Sequence, residues 1–517
     1  MKKVIGFLVL ALVFFGMALP LARIPVASAA SQVDINIAIE KGLAYLNSTQ
    51  SSAGDWGWYT VATTAMSVLS YENAPNNHFG WNLSDPYHTT VQKGLDYLFG
   101  AAAVQSIGVQ SAGDPDTNGN GIGICFPSHG LPIYETPMAL MAIVASQTPA
   151  AVATTGPANV IGRTYYDIAV DIVDYLAWAQ NDAGTGRGGW SYGANAGESD
   201  NSNTQWPVLG LMAAELWGID APTWVKSELL DYWLTYTQNF IGTYDTNYYY
   251  GAFGYGSNAW GPTGIESIAE TAAGIIDLTY CGVPKTDYRI IAAQGYIVRD
   301  WLTVGGNTGW RVNIGNFYAM YAVMKACRLT TPTPIKFIAN YTGSPTIEWY
   351  NGTDQYADTL VSHQGADGHW DQWVNPESVA TNLATAWGVL ILEFVPVKVQ
   401  YSLEVDVVQS GTSNPVHGAN VVAEGPNTYS DVTDGGKVVF NDIQAGTYQV
   451  TVTCAGYIPA SQTVNVNKNT TITVELELIF VIPEVPLGTI MASVSMIAAL
   501  IAYAVLPRKK RLERNIP

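Results

Sequence analysis

Cysteine is scarce in this chain: four residues in 517. Small secreted domains held together by disulfides are cysteine-dense, so a disulfide scaffold is excluded. Cys281 and Cys327 close two successive apolar segments at what should be the same end, which leaves either a bridge or two buried thiols. Charge is scarce too, at 13% of residues, and basic charge is the scarcer sign: 23 Lys and Arg against 42 Asp and Glu, a net charge of −19. Such an acidic surface is a poor partner for nucleic acid or anionic lipid, and no nucleic-acid partner is expected. Much of the basic charge sits at the two ends of the chain.

Those ends read as export and anchoring signals. Met1-Lys2-Lys3 leads into an apolar run from Val4 to Leu19, and Ala27-Ser28-Ala29 supplies small residues, the order of a secretory signal peptide spanning residues 1–30. Residues 487–506 are apolar or small without a charge, long enough at about 1.5 Å per residue to cross a hydrocarbon core. Arg508-Lys509-Lys510-Arg511 follows, which predicts a basic cytoplasmic tail over residues 508–517 and everything earlier outside. The lead-in from Ile482 to Gly488, with Pro483 and Pro486, resembles archaeal C-terminal sorting signals, so residues 481–507 are expected to be sorting motif and transmembrane anchor. The expected location is the extracellular face of the cell membrane, with the membrane itself a partner. Asn47, Asn82, Asn340, Asn351 and Asn469 stand in N-glycosylation sequons.

Between the ends, residues 31–395 repeat. One unit is a helical segment, a Gly/Trp-rich loop and a second, more apolar helical segment. Ile37–Thr49 passes through Gln50, Gly54 and Trp56 to Val61–Leu69, and Tyr166–Ala179 passes through Gln180 and Gly189-Trp190 to Thr204–Leu216. Tyr87–Ala103 pairs with Tyr134–Ala145 across a longer loop, Trp224–Phe240 with Ile265–Tyr280 across Gly254-Tyr255-Gly256, and Ile290–Leu302 with Phe317–Cys327 across Gly309-Trp310. The last loop, Gln364 to Gly368-His369-Trp370, leads to Ser378–Phe394. The second segments are apolar nearly all round and must be buried, whereas first segments such as Asp167–Asp174 carry a polar face. Inner apolar helices ringed by outer amphipathic ones make an (α/α)6 toroid of twelve helices.

The runs from Lys41-Gly42 to Gln50 and Trp56, Gln180 with Gly189-Trp190, and Gln364 with Gly368-His369-Trp370 resemble the Gln-Trp repeat of squalene-hopene cyclases; Thr204-Gln205-Trp206 resembles the inner-helix starts of the wider terpenoid-cyclase and prenyltransferase superfamily. The resemblance implies the toroid. It does not carry the reaction, because neither the Asp-x-Asp-Asp acid nor the Asp-Asp-x-x-Asp metal motif of those enzymes occurs. Asp277, Cys281 and His363 are the faint counterparts of a prenyltransferase zinc set, at the wrong spacing.

Loops joining an outer to an inner helix open on one rim. Glu135, Asp200, Glu266 and Glu377 are the candidate catalytic carboxylates there, with Asn203, Glu270, Asn316 and Asn382 at the same level. Trp58, Trp190, Tyr192, Tyr255, Trp260, Trp310 and Trp370 are candidate ligand-stacking residues. Carboxylates amid aromatic faces suit sugar recognition and glycosidic acid–base chemistry, although acidic residues at helix starts also serve as caps. Asp114, Asp116, Asn118 and Asn120 alternate around Gly119 and Gly121 like the first half of a calcium loop, so Ca2+ is a candidate cofactor with a structural role. Position twelve would be Cys125, which excludes an EF-hand.

Residues 396–480 switch to a period of two. Leu403–Val407, Val438–Phe440, Tyr448–Val452 and Thr471–Leu476 predict a small antiparallel sandwich. Val416 to Val422, Thr433-Asp434-Gly435-Gly436, Phe440 and Ala445 to Tyr448, continued by Gly456-Tyr457, resemble the carboxypeptidase regulatory-like domain, which implies a spacer or adhesion module. The chain as a whole is thus expected to be a tethered surface protein whose toroid binds glycan or a surface-layer component or serves structurally. The alternative is an extracellular polysaccharide hydrolase or lyase, and behind it a relative acting on an isoprenoid.

Overall fold

The computed structural model describes residues 29–256, 265–302, 312–374, 378–393, 400–425, 428–444, 446–466, 470–479 and 487–505. It divides into two compact units, residues 1–397 and 398–517.

The first unit holds six helix pairs. The outer helices are α1 (Gln32–Thr49), α3 (His88–Ala101), α5 (Tyr165–Ala179), α7 (Thr223–Glu228, continued by a π-helical turn Leu229–Leu234), α9 (Tyr288–Leu302) and α11 (Tyr356–His363). The inner helices are α2 (Thr60–Asn73), α4 (Pro132–Ala145), α6 (Asn201–Ala214), α8 (Ile268–Tyr280), α10 (Phe317–Leu329) and α12 (Thr381–Leu392). Each inner helix packs on the next, and α12 packs back on α2, so the ring closes. The burial agrees with the hydropathy pattern: every residue of α8 is buried, whereas α1 buries one face through Ile35, Ile39, Leu43 and Leu46. Two short hairpins interrupt the repeat, β1 (Ala103–Ser106) with β2 (Ile122–Cys125) and β3 (Phe337–Ala339) with β4 (Thr346–Glu348).

One device recurs around the ring. Gln50 leaves α1 in extended conformation, and its side-chain amide donates to Gly54 O and to Thr90 O in the first turn of α3, both at 2.9 Å. Gln180 bonds Gly188 O (2.8 Å) and Val225 O of α7 (3.1 Å). Gln238 bonds Gly251 O (3.1 Å) and Arg289 O of α9 (2.9 Å). Gln364 bonds Gly368 O (2.9 Å) and Ala38 O of α1 (2.8 Å), which ties the last repeat to the first. Each glutamine thus satisfies carbonyls of its own loop and of the next outer helix, groups that would otherwise be left without donors. The aromatic that follows donates its main-chain N–H to a threonine of the inner helix: Trp56 to Thr64, Trp190 to Thr204, Trp370 to Thr385, and likewise Phe126 to Thr136 and Phe253 to Thr271. The fourth turn therefore centres on Gly251 and Phe253 rather than on Gly254-Tyr255-Gly256, because it is the Gln238 amide that fixes which glycine closes the loop.

The second unit is a two-sheet sandwich. One sheet has the order β10 (Tyr457–Ile458), β12 (Thr470–Leu478), β5 (Gln400–Gln409), β8 (Lys437–Gln444); the other β11 (Ala460–Val466), β9 (Gly446–Thr453), β6 (Asn420–Glu424), β7 (Thr428–Val432). Leu403, Val405, Val407, Val421, Val450, Val452, Val474 and Leu476 form its core. The expected all-antiparallel pairing is corrected at one edge, where β12 runs parallel to β5. The last strand returns beside the first in the same direction, which alternating hydrophobicity cannot reveal, since both directions bury the same face.

Among the described residues all four cysteines are free. Cys281 donates toward Lys226 O, and Cys327 is buried apart from it, so the bridge considered for this pair is not formed. Residues 487–505 form the helix α13. Among the described residues no helix is long and apolar enough to cross a membrane. Residues 1–28 of the expected signal peptide, the expected sorting lead-in up to Pro486 and the expected basic tail lie outside the described residues.

Candidate functional site

The starts of the inner helices place the polar side chains. Asp200 is the N-cap of α6; its carboxylate accepts from the Asn203 N–H (2.8 Å), the Ser202 hydroxyl (2.6 Å) and the Asn203 amide (2.8 and 2.9 Å). Burial raises its pKa, against the lowering effect of those bonds. Glu270 lies in the first turn of α8, whose N-cap Ser267 accepts the Glu270 N–H. Burial, and then the neighbouring Asp200 and Asp277, push the Glu270 carboxyl well above the usual range, and its Oε2 is buried without a partner. Four phenols surround this pair. Tyr134 donates to Ser202 Oγ (3.0 Å) and Tyr318 to Ser202 O (2.9 Å); the Tyr192 and Tyr255 hydroxyls meet at 3.2 Å. Tyr134 and Tyr318 lie against Trp206, which stacks on Tyr321 and Trp387, so aromatic rings fill the ring interior below the mouth.

Glu135 belongs to a neighbouring group. It accepts from the Ser128 hydroxyl (2.7 Å) and lies 3.1 Å from His129 Nδ1. His129 packs edge-on against Tyr59, and Tyr59 stacks on Trp58, which is 53% exposed. Tyr134 and Glu135 are adjacent on α4, so the two groups share one lip of the mouth. Glu266 is buried apart from both and accepts from the Asn239 amide at 3.0 Å. The pair that the fold brings together is thus Asp200 with Glu270, not the set Glu135, Asp200 and Glu266. Glu377, Trp260 and Trp310 lie outside the described residues. Glu270 occupies a Ser-x-x-Glu capping pattern, so its sequence signal was that of a cap. Tyr318 carried no signal beyond a polar-tipped aromatic in the opening turn of an apolar helix, and Trp206 only the resemblance of its Thr204-Gln205-Trp206 run to an inner-helix start.

Two stacking assignments are corrected. Trp190 and Trp370 are fully buried, and their indole N–H groups donate to Leu176 O (2.9 Å) and Leu360 O (2.8 Å) of the preceding outer helices. They are packing elements, as is Trp56, bonded to Leu46 O at 2.7 Å. Trp58 and Tyr192 are exposed and Tyr255 is half-buried, which leaves these three open to a ligand.

The calcium-type loop is held by its own backbone and by α5. Asp116 accepts the N–H groups of Gly119, Asn120 and Gly121, and Asp114 accepts that of Asp116. The Asn118 and Asn120 oxygens face loop N–H groups, while their amides both donate to Asp171 Oδ1 of α5, at 2.8 and 2.9 Å. Among the described residues no group of three or more His, Cys, Asp or Glu converges on a metal position. The loop is docked on α5, where Asp174 Oδ1 accepts from the Thr117 N–H and hydroxyl and Asp171 pairs with Arg163.

That docking has a pH signature. Burial raises the Asp174 pKa to about 7, against an ordinary value near 4. The folded protein therefore holds this proton where the unfolded chain has released it, and its contribution to stability declines as pH rises from about 4 to about 7. Urea unfolding at pH 5 and pH 8 should show Asp174→Asn losing less stability over that interval than the unmodified protein. Equal losses would mean that Asp174 ionises in the fold without penalty.

The contacts define an (α/α)6 toroid followed in the chain by a small β-sandwich. The carboxypeptidase regulatory-like domain family matches residues 402–478, so the sandwich is a carboxypeptidase regulatory-like domain. No curated protein sequence matches the chain. Among solved structures, a glycoside hydrolase family 15 glucoamylase from Hypocrea jecorina is similar over 86% of this chain and 98% of its own, with 12% identity and a TM-score of 0.37. A glucoamylase from Hormoconis resinae gives 87%, 98%, 11% and 0.33. At such scores the closed ring of inner helices, rather than these similarities, identifies the toroid.

Proposed function

We propose that the toroid is a glycan-binding module of a secreted surface protein, with the carboxypeptidase regulatory-like domain as spacer and the apolar C-terminal segment as tether. The observation that carries the binding reading is the division of labour at the mouth. Asp200, Glu135 and Glu266 are buried and already hydrogen-bonded, while the groups open to a ligand are the rings of Trp58, Tyr192 and Tyr255. Flat rings with polar tips suit the faces of sugar rings, and carboxylates held as caps and acceptors are not free to act on a bound water. The tether rests on the composition of residues 487–506 and the basic cluster behind it.

Retention of the full-length chain on immobilised neutral glycans, followed together with reducing ends in solution, tests this reading. Trp58→Ala and Tyr192→Ala should each weaken retention roughly tenfold, the loss of about 1.4 kcal/mol of stacking. Their folding stability should stay within about 0.5 kcal/mol, as for other exposed positions. Reducing ends released by the unmodified protein and not by Glu270→Gln would instead make it a hydrolase using the buried acid.

A further inference from the structure

Beside the exposed ring of Trp58 stands a polar group that the glycan reading has not used, the imidazole of His129. The His129 side chain is 33% exposed, whereas the Glu135 carboxylate against it is 1% exposed. A buried acid thus backs a ring that reaches the surface. Glu135 lies in the first turn of α4, and His129 in the loop before it.

The number of protons available fixes the tautomer of this ring. Ser128 Oγ donates to Glu135 Oε1 at 2.7 Å and lies 2.8 Å from His129 Nδ1, which is itself 3.1 Å from the same Oε1. The hydroxyl has a single proton and gives it to the carboxylate, and a carboxylate only accepts. Nδ1 therefore faces two acceptors and must carry the hydrogen itself. In the neutral imidazole the lone pair then belongs to Nε2. Glu135 Oε2 also accepts the His129 main-chain N–H at 3.3 Å, so one carboxylate holds both the backbone and the ring. Nε2 makes no hydrogen bond among the described residues.

The imidazole is continuous with the aromatic lip. His129 meets Tyr59 edge-on with ring centres 5.4 Å apart, and Tyr59 stacks on Trp58 at 5.1 Å. Tyr59 is the N-cap of α2 and is held in left-handed backbone, φ +52°, which a bulky residue seldom adopts. Strain of this kind gathers at binding sites. The first turn of α2 secures it, with the Thr63 N–H on Tyr59 O (2.9 Å) and the Thr63 hydroxyl on Trp58 O (2.8 Å). The start of α2 thus supplies a flat platform, and the start of α4 an acceptor fixed beside it. A sugar laid on an aromatic ring keeps its hydroxyls at the rim of the stack, where a neighbouring lone pair takes a hydrogen bond from them.

We infer that His129 is a ligand-binding residue of this site, its Nε2 accepting a hydrogen bond from a hydroxyl of a neutral glycan stacked on Trp58, with Glu135 and Ser128 as positioning residues. This rests on the glycan-binding reading above. It goes further in giving the buried Glu135 a part in recognition, exerted through the imidazole rather than by contact with the ligand.

Calorimetric titration of the full-length chain in mild detergent would use maltohexaose, cellohexaose and mannohexaose, and the tightest of the three serves as probe. His129→Phe keeps a ring against Tyr59 and removes the acceptor, and should weaken the probe about tenfold. His129→Gln offers an amide oxygen in place of Nε2 and should lose only about threefold. Glu135→Ala, which frees the ring, should weaken binding several-fold. O-methylation of the probe, which removes its donors, should cost the unmodified protein about tenfold and His129→Phe much less. Diethyl pyrocarbonate should modify His129 several-fold more slowly with the probe bound, a protection that a purely structural histidine would not show. Thermal melts establish that the variants fold, and the two His129 variants carry the test if Glu135→Ala does not. Unchanged affinity in His129→Phe, with loss in Trp58→Ala, would overturn the inference and leave the binding reading standing. Silence toward all three oligosaccharides would overturn both.

Discussion

Replacing Gly188 by alanine should destabilise the toroid by about 2–5 kcal/mol, among the largest effects of any single methyl group in this chain. Gly188 sits in left-handed backbone, φ +84°, and a Cβ there would strike the carbonyl oxygen of Glu228, with its carbon at 2.7 Å and Trp233 N at 3.2 Å. The left-handed conformation costs an alanine about 1–2 kcal/mol, and forcing the loop off the main chain of α7 adds about 1–3 kcal/mol. The Gly188 carbonyl also takes the Gln180 amide, so a shift large enough to relieve the clash weakens the link between repeats. Gly57 is the control: its φ is +58°, and nothing lies within 4 Å of the added methyl. Gly57→Ala should cost only about 1 kcal/mol. All 16 tryptophans fall in the toroid, so urea unfolding followed by tryptophan fluorescence reports this unit alone. Equal losses at the two positions would mean that the close approach of loop and helix is not what Gly188 serves.

Trp370→Ala should cost about 3–5 kcal/mol by the same measurement. The ring is fully buried between the last inner helix and the first outer one: a Cβ at Gly42 of α1 would lie 2.9 Å from it, and one at Gly388 of α12 3.0 Å. Truncation would remove the packing and leave a cavity where the ring closes, and it would strip Leu360 O of its indole donor. Trp370→Phe should lose much less, about 1–2 kcal/mol, because Phe126 and Phe253 fill the same position in other repeats and keep the main-chain bond to the inner-helix threonine. Trp58→Ala should behave oppositely, with binding lost and stability kept. A Trp370→Ala protein as stable as the unmodified one would show that the ring can close without its last tryptophan.

The contrast between Trp58 and Trp370 marks the limit of legibility in this sequence. Trp58 directly follows Gly57 and Trp370 follows Gly368 with one residue between, in loops of the same type, and both were candidates for a ligand. Residue type and spacing place a tryptophan at the turn between an outer and an inner helix but say nothing of which way the ring points. Trp370 is carried inward because Gln364 fastens the loop to Ala38 and Gly42 leaves room for the ring. Trp58 lies two residues past the packing tryptophan Trp56, and left-handed backbone at Tyr59 follows it. The loop at Asp114–Gly121 has the same limit: alternating oxygens were visible, but not that Asp171 on a neighbouring helix would take both the Asn118 and Asn120 amides.

The sequence by itself determined the six helix pairs, which helix of each pair is buried, the Gln–Gly–Trp turns after Gln50, Gln180 and Gln364 and the sandwich that follows. These depend on periodicity and on bonds between residues close in the chain, so local pattern is enough. The tertiary structure alone decided the pairing of Asp200 with Glu270, the separation of Glu135 and Glu266 from that pair, the parallel return of β12 and the burial of Trp190 and Trp370. Each depends on which distant segments become neighbours when the ring or the sheet closes, and a hydropathy pattern is the same whichever neighbour is met.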